Sequence, residues 1–417
     1  ISLSESDYRF YIDNCISLGY NSIEMHVLNH DPRGNHPPFN ANGDLPFVKR
    51  LDGKPWDGSL TYSDKFREAP DLTTPNEKYW SFVDDFLAYC ESQGIAVFFF
   101  PAYLGYPASN QGWMQELVAN GSERSRAYGE WVARRYRKQT NLVWMLLGDI
   151  GDFSAEEKSV EAMLIRGLKS VKGQRSVQYT AESKSGENAA DQTDFGKEMT
   201  LNGVYTWGGG VTVPEMGTKG YSHTPVMPAF LLEEPYDEEG PDGNHVNPNA
   251  IQPVRRFQWW GWLTTIGGYI SGNGYVWPFR GPWKEHLDTQ GSRDMSRLNA
   301  FIRSYRWWEL VPSNQDGMRA IIASGGSSPG AEDYVAAAAT RDGKLLVAYI
   351  PPAHSGSVTV DMTILTVRSR GRWFDPGNGK YIEIPGVPLS NSGTRTFITP
   401  GANSMGEGDW VLVLEGI

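Results

Sequence analysis

The sequence has little cysteine and no long apolar run. Its 417 residues include two cysteines, Cys15 and Cys90, which cannot form a disulfide framework and whose pairing the sequence leaves open. No apolar run approaches the roughly 20 residues that a membrane-spanning helix needs, so we expect no membrane span. Because the chain starts at Ile1 rather than at Met, we expect an upstream stretch to be missing, and we expect a secreted or periplasmic location.

Lysine and arginine are also fewer than aspartate and glutamate, 38 against 49. The net charge of −11 argues against a nucleic acid or an anionic membrane surface as partner. The sequence has no Gly-x-Ser-x-Gly elbow, no Walker-type phosphate loop, no early Gly-x-Gly-x-x-Gly and no His-Glu-x-x-His motif. No pair among its seven histidines shows metal-ligand spacing, so the sequence predicts neither a metal nor another cofactor.

Aromatic residues, in contrast, are abundant. The chain contains 15 Trp, 20 Tyr and 17 Phe, and its 40% of hydrophobic and 21% of charged residues predict a globular protein. A surplus of Trp and Tyr suits clefts in which sugar rings stack on aromatic faces. A large aromatic core explains the same surplus equally well.

Strand and helix patterns alternate from the start of the chain to about residue 310, which favours a parallel α/β fold. Apolar runs predict seven strands, at residues 21–27, 95–100, 141–147, 176–179, 201–207, 226–232 and 269–277. We predict a (β/α)8 TIM barrel over residues 1–312, whose first strand is missing because the chain begins with a helix. A doubly wound open sheet is the alternative.

The pattern changes after Pro312 to short strands separated by turn residues. Asp342-Gly343 and Asn378-Gly379 are hairpin-type turn signals. We predict an all-β sandwich domain over residues 313–417 and expect it to pack on the barrel. Structural support is the preferred role for this domain, and sugar binding is the alternative.

Two apolar runs end in carboxylates. The run 142–147 leads through Gly148 to Asp149, and the run 229–232 leads to Glu233 and Glu234. Ligands bind at the carboxyl ends of barrel strands, and facing ends can place two carboxyls across one cleft. Glycoside hydrolysis needs such a pair, one to protonate the leaving oxygen and one to attack the sugar. Alternatively, Asp149 caps the next helix and Glu233 is one solvated acid among several.

Several motifs resemble the apiosidase-like glycoside hydrolases, in which a (β/α)8 barrel precedes a β domain of the collagen-binding type. The matching residues are Gly148-Asp149, Glu233-x-x-Tyr236-Asp237 and segment 268–277, with Trp373-Phe-Asp-Pro376, Gly379 and 409–414 in the β domain. The resemblance implies a retaining hydrolase with Asp149 as general acid/base and Glu233 as nucleophile. The family pattern Glu-x-x-Tyr-Glu selects Glu233 over Glu234. This chain departs from it at Asp237, whose role stays open.

Other side chains near predicted strand ends are candidates for substrate contact, and for each the alternative is a packed aromatic or core residue. They are Tyr236, Trp207, His30, Tyr103 and Trp277. We predict that the aromatic cluster at residues 257–262 packs against the barrel, because its spacing is helical. The acidic run 237–242 is expected to be a solvated rim, with a calcium site as the alternative.

The leading hypothesis is a retaining glycoside hydrolase that acts on a plant or microbial poly- or oligosaccharide. Asp149 and Glu233 would carry the chemistry, and carbohydrate would be the partner. One alternative is a non-catalytic carbohydrate- or matrix-binding protein. The other is an inverting glycosidase on the same fold, since sequence does not give the separation of the two carboxyls.

Overall fold

The computed structural model describes residues 2–28, 30, 38–59, 63–105, 112–207, 212–234, 236–239, 251–279 and 281–417. Contacts divide the chain into two units, Ile1–Asn202 with Tyr275–Leu287, and Gly203–Gly274 with Asp288–Ile417. The predicted domain boundary between residues 312 and 313 divides the chain into two consecutive segments, whereas each of these units combines two separate segments. That boundary stays a prediction. No helix within the described ranges is long and apolar enough to cross a membrane.

The first unit alternates helices with parallel strands. Its helices are α1 (Glu5–Ser17), α2 (Glu77–Ser92), α3 (Met114–Tyr136) and α4 (Ala155–Ser170), and its strands are β1 (Ser22–His26), β2 (Ala96–Phe100), β3 (Leu142–Leu147) and β4 (Tyr179–Glu182). The strands pair in parallel in the order β1-β2-β3-β4. Ser4, Asn76 and Ser154 begin three of the helices, because each side chain accepts a hydrogen bond from a first-turn N–H.

The two cysteines lie in helices of the first unit. Cys15 of α1 and Cys90 of α2 are buried, free thiols. Burial raises the pKa of each thiol to about 12. Both are therefore protonated at neutral pH and are not nucleophiles.

The second unit continues the alternation. It holds β5 (Asn202–Tyr205), α5 (Val213–Tyr221), β6 (Ala229–Glu233), α6 (Ile251–Thr265) and α7 (Gln290–Arg303), with β5 paired to β6. The predicted alternation of strand and helix is confirmed. The described strands of this region form one four-stranded and one two-stranded sheet, so closure into a barrel stays a prediction.

The strand predicted at residues 269–277 is wrong. Only isolated parallel bridges form there, from Tyr269 to Leu231 and from Asn273 to Asp237. Glycine explains the difference. Gly272 lies against the ring of Tyr236, which leaves no room for a side chain. The segment is therefore shaped by a close approach to the loop after β6 rather than by a continuous ladder.

The C-terminal region is all-β, as predicted. A six-stranded sheet has the order β13-β12-β15-β10-β9-β7, and a three-stranded sheet the order β14-β11-β8. The strands are β7 (Leu310–Pro312), β8 (Ile322–Ser324), β9 (Ala336–Thr340), β10 (Leu345–Ile350), β11 (Ser357–Asp361), β12 (Ser369–Phe374), β13 (Tyr381–Glu383), β14 (Thr394–Ile398) and β15 (Trp410–Gly416). All pairs are antiparallel, and one apolar core contains side chains of both sheets. The sequence missed β7, β13 and β14.

Within the second unit, the six-stranded sheet packs on α6 and α7. The aromatic cluster of α6 is buried, as predicted, but its core includes residues of β9, β10 and β15. Trp259 stacks on Tyr349 of β10 with ring centroids 5.7 Å apart. The cluster thus packs on Val204 of β5 and Leu231 of β6, and also on the C-terminal sheet, which the sequence did not predict. The helix is aromatic because it faces a second apolar sheet.

A buried ion network joins the same elements. Arg255 of α6 donates to both carboxylate oxygens of Asp409 at 2.8 Å and to Asp294 of α7 at 2.6 Å. Asn403 and Tyr349 also donate to Asp409, at 2.7 and 3.0 Å. Both carboxylates are fully buried. The C-terminal sheet is thus tied to two helices by charge as well as by apolar contact.

Candidate active site

Asp149 follows β3 along a backbone that leaves the strand sharply. Leu147, Gly148 and Asp149 have successive φ angles of 67°, 124° and 58°, a region that non-glycine residues rarely adopt. A Cβ added at Gly148 would lie 2.5 Å from a ring carbon of Tyr103. The Gly148 N–H donates to the Glu182 carbonyl at 2.9 Å. Strained backbone of this kind is held by its surroundings and concentrates at functional sites, which supports Asp149 as a candidate.

A polar cluster that the sequence did not predict lies on β1 and β4. Ligand atoms of Glu24, His26 and Glu182 all lie within 4.8 Å of one another. His26 is half-buried, lies 3.2 Å from Glu24 and stacks on Tyr103, with ring centroids 4.1 Å apart. Two carboxylates and an imidazole suit a divalent cation or the hydroxyls of a sugar. The strand predicted at residues 176–179 ends before Glu182, which is the last residue of β4. The sequence therefore did not mark Glu182 as a strand-end residue.

Glu233 is the last residue of β6. The hydroxyl of Tyr236 donates to its carboxylate. The backbone carbonyl of Glu233 accepts from the N–H and hydroxyl of Thr206, at 2.8 and 3.1 Å. The half-buried carboxylate is thus oriented by a phenol while its backbone is fixed by the neighbouring strand.

Glu234 has a different environment. It is fully buried, and Gln258 of α6 donates to its carboxyl. Burial raises its pKa well above the ordinary value, and the adjacent charge of Glu233 raises it further. Glu234 is therefore an interior carboxyl whose neutral form is favoured by its surroundings.

The acidic residues after β6 are also interior. Asp237, Glu238 and Glu239 are 4%, 7% and 8% exposed, so the expected solvated rim is wrong for these three, and 240–242 lie outside the described residues. Asp237 accepts from the Thr289 hydroxyl at 2.5 Å. Gly291 leaves the space for this carboxyl, because a Cβ there would lie 2.5 Å from it. Burial raises the pKa of Asp237 to about 6.

Glu239 joins the loop after β6 to the loop after β5. One oxygen of its carboxylate accepts from Nε1 of Trp207 at 3.1 Å and from the N–H of Tyr236 at 3.3 Å. The indole edge of Trp207 is therefore fixed next to the tyrosine that binds Glu233. A sugar platform at Trp207 stays a prediction, and residues 208–210 beside it lie outside the described residues.

The other predicted substrate contacts lie in the first unit. The His30 side chain is 1% exposed, lies 3.1 Å from Glu116 and stacks on Trp113. This interior position disfavours a sugar contact at His30, which stays a prediction. Tyr103 is buried beneath Gly148, where it shapes the Asp149 loop. Trp277 is half-buried, and its role stays a prediction.

Asp149 belongs to the first unit and Glu233 to the second. Each stands at the carboxyl end of a buried strand, and each has a local environment that fixes it. A pair across one cleft stays a prediction. In the first unit the contacts bring together Tyr103, Glu182 and Gly148, the residue before Asp149. In the second they bring together Glu233, Tyr236, Trp207 and Glu239.

Comparison with known proteins gives a consistent result. The family described as "Apiosidase-like, catalytic domain" matches residues 1–309, and that described as "Putative collagen-binding domain of a collagenase" matches residues 321–415. No curated protein matches the chain.

Solved structures of glycoside hydrolases have the same fold. A protein titled "Glycoside hydrolase" is 16% identical with a TM-score of 0.76, over 99% of this chain and 89% of its own. A family 5 glycoside hydrolase from Bacteroides vulgatus is 17% identical with a TM-score of 0.75, over 99% and 86%. A family 27 β-L-arabinopyranosidase from Geobacillus stearothermophilus is 10% identical with a TM-score of 0.51, over 100% and 93%.

Proposed function

Because the chain belongs to the apiosidase-like family of glycoside hydrolases, we propose that it cleaves a plant or microbial poly- or oligosaccharide with retention of anomeric configuration. Asp149 is the general acid/base and Glu233 the nucleophile. The parallel strands are those of a (β/α)8 barrel, and the two antiparallel sheets that follow form a sandwich. Carbohydrate is the substrate. A secreted or periplasmic location suits an enzyme that degrades such a substrate.

The contrast between Glu233 and Glu234 carries this proposal. A nucleophile must be ionised and reachable, and Glu233 is half-buried with Tyr236 donating to its carboxylate. Glu234 is fully buried, and burial raises its pKa, which disfavours the ionised form that a nucleophile needs. The environment of the two carboxyls therefore separates their roles, as in other pairs of carboxyls with divergent pKa values.

The proposed reaction has two steps. In the first, Asp149 donates its proton to the glycosidic oxygen as Glu233 attacks the anomeric carbon, which expels the leaving sugar and forms a glycosyl ester. In the second, Asp149 takes a proton from water, and that water cleaves the ester and frees Glu233. Tyr236 orients the attacking oxygen and supports the carboxylate that leaves in the second step.

The C-terminal sandwich is proposed as support for the nucleophile half of the barrel. It packs on α6 and α7, and Arg255 ties Asp409 to Asp294. Thr289, at the N-terminus of α7, donates to Asp237, and Asp237 lies four residues after Glu233. This chain of contacts supports a structural role rather than an independent sugar-binding one.

The first test is turnover by Asp149→Asn and Glu233→Gln. Wild type is screened against plant polysaccharides and 4-nitrophenyl glycosides, and the anomer of the first product is read by NMR. Each variant is expected to lose about 1,000-fold or more in kcat with its fold intact. Turnover near wild type in either variant would overturn the assignment. An inverted first product would favour the inverting mechanism.

A further inference from the structure

The residue after Tyr236 is fixed through its backbone. The Asp237 N–H donates to the Gly272 carbonyl at 3.0 Å, and the Gly274 N–H donates to the Asp237 carbonyl at 2.9 Å. Gly272 also lies so close to the ring of Tyr236 that no Cβ would fit between them. One short segment therefore contacts both the backbone of Asp237 and the phenol that donates to Glu233.

The carboxyl of Asp237 docks on the N-terminus of α7. Its Oδ2 accepts from the Thr289 hydroxyl at 2.5 Å. The oxygen of that hydroxyl accepts in turn from the Ser292 N–H at 3.0 Å, which makes Thr289 the N-cap of the helix. Because a hydroxyl has a single proton, Thr289 gives that proton to Asp237 and a lone pair to the helix. One side chain thus joins the Asp237 loop to α7.

Gly291 makes room for this carboxyl. A Cβ at Gly291 would lie 2.5 Å from Cγ and Oδ2 of Asp237. The residue lies inside α7, where alanine is a better helix former than glycine. The space that the carboxyl of Asp237 occupies therefore explains a glycine at this helical position.

The helix end that receives Asp237 is itself held in place. Asp294 of α7 accepts from Arg255 of α6 at 2.6 Å and from Gln290, one turn before it, at 2.8 Å. Asp237 is 4% exposed, and the hydroxyl of Thr289 offsets part of the cost of burying its carboxyl. The contacts therefore run from a braced helix, through Asp237, to the residue that binds the nucleophile.

We propose that Asp237 is a positioning residue, whose contact with α7 holds the phenol of Tyr236 against the carboxylate of Glu233. This inference rests on the proposed role of Glu233 as nucleophile. Asp237 acts through Tyr236 and not on the reacting atoms. Weakening its contact with α7 therefore slows the attack by Glu233 and leaves the affinity for the sugar nearly unchanged.

The first measurement compares kcat and KM of wild type, Thr289→Val and Thr289→Ser on the 4-nitrophenyl glycoside or polysaccharide that wild type hydrolyses. Val has nearly the shape of Thr but no hydroxyl, and it is expected to lower kcat about 10-fold with little change in KM. Ser keeps the hydroxyl and is expected to retain the kcat of wild type. Ser4→Ala, which removes the N-cap of α1, controls for the loss of a cap alone and is expected to keep kcat.

Gly291→Ala separates positioning from helix stability. Alanine favours the helix, but its methyl displaces the carboxyl of Asp237, so kcat is expected to fall about 10-fold although the helix forms readily. In an Asp237→Ala background the methyl meets no carboxyl, and the same substitution is expected to change kcat by less than about 2-fold. It is also expected to have little effect in Tyr236→Phe, because Asp237 acts through that phenol.

Hydrogen exchange in the peptide that contains Tyr236 and Asp237 gives a readout without substrate. Its protection is expected to fall at least about 3-fold in Thr289→Val and in Gly291→Ala, and to match wild type in Thr289→Ser. Unchanged kcat and unchanged protection in Thr289→Val and Gly291→Ala overturn the inference. An equal loss of kcat from Gly291→Ala in wild type and in Tyr236→Phe overturns it as well. Retained turnover in Glu233→Gln would instead remove the proposed function, whatever the variants of Thr289 and Gly291 show.

Discussion

Replacement of Arg255 by Met tests whether the C-terminal sheets are an integral part of the fold. The substitution removes one cation from between Asp409 and Asp294, whose side chains are fully buried. Burial raises the pKa of Asp294 although Arg255 lies beside it. The intact ion pair is therefore expected to stabilise the fold little more than apolar residues of similar size would. Loss of one partner is different, because it leaves buried charges without their counter-ion.

The contacts that Asp409 and Asp294 keep after the substitution narrow the expected loss of unfolding free energy. After the change Asp409 keeps Asn403 and Tyr349 as donors, at 2.7 and 3.0 Å. Asp294 keeps Gln290 at 2.8 Å and Arg297 at 2.6 Å. Since each carboxylate retains two donors, we expect the lower end of the usual range, about 3 kcal/mol of unfolding free energy.

The assay is urea unfolding followed by tryptophan fluorescence and circular dichroism. The control is Arg306→Met, which breaks a pair with Asp342 whose side chains are 51% and 37% exposed. This variant is expected to keep a urea midpoint close to that of wild type, because exposed ion pairs contribute little to stability. Arg255→Met/Asp409→Asn is expected to recover part of the loss. Equal midpoints for Arg255→Met and the control would refute the reasoning.

Two further predictions concern the site. Tyr236→Phe removes the hydroxyl that donates to Glu233 and is expected to lower kcat about 10-fold to 100-fold, with stability near wild type in thermal unfolding; unchanged kcat would contradict a catalytic contact. Gly148→Ala places a methyl against Tyr103 at a φ of 124°. It is expected to lower the unfolding free energy by about 1–3 kcal/mol and to reduce kcat. The control Gly173→Ala, at a positive φ in open space, is expected to lose stability without losing kcat.

Much of the fold was readable from the sequence because buried parallel strands appear as apolar runs. The alternation to about residue 310 and the change to short strands after it are present in the structure. The failure at 269–277 has a physical cause. That run looks like a strand, but Gly272 within it lies against Tyr236, and Gly267 just before it lies against the backbone at Ala229. Single bridges therefore replace a ladder.

The candidate site was only partly predictable. Asp149 and Glu233 stand out because an apolar run followed by a carboxylate is a local pattern. Glu182 does not, because what marks it is its proximity to Glu24 and His26 on another strand. Arg255 and Asp409 are 154 residues apart in sequence, and nothing local marks them as a pair. Burial also distinguishes Glu233 from Glu234, a difference that their adjacent positions in the sequence do not reveal.

The most direct test of the proposed mechanism is to locate the covalent intermediate. Wild type is incubated with an activated 2-deoxy-2-fluoro glycoside of the sugar that it releases, and the labelled peptide is sequenced by mass spectrometry. The mechanism predicts one glycosyl ester, on Glu233, and no ester in Glu233→Gln. An ester on Glu234 or Asp237, or an inverted product with no ester at all, would contradict it.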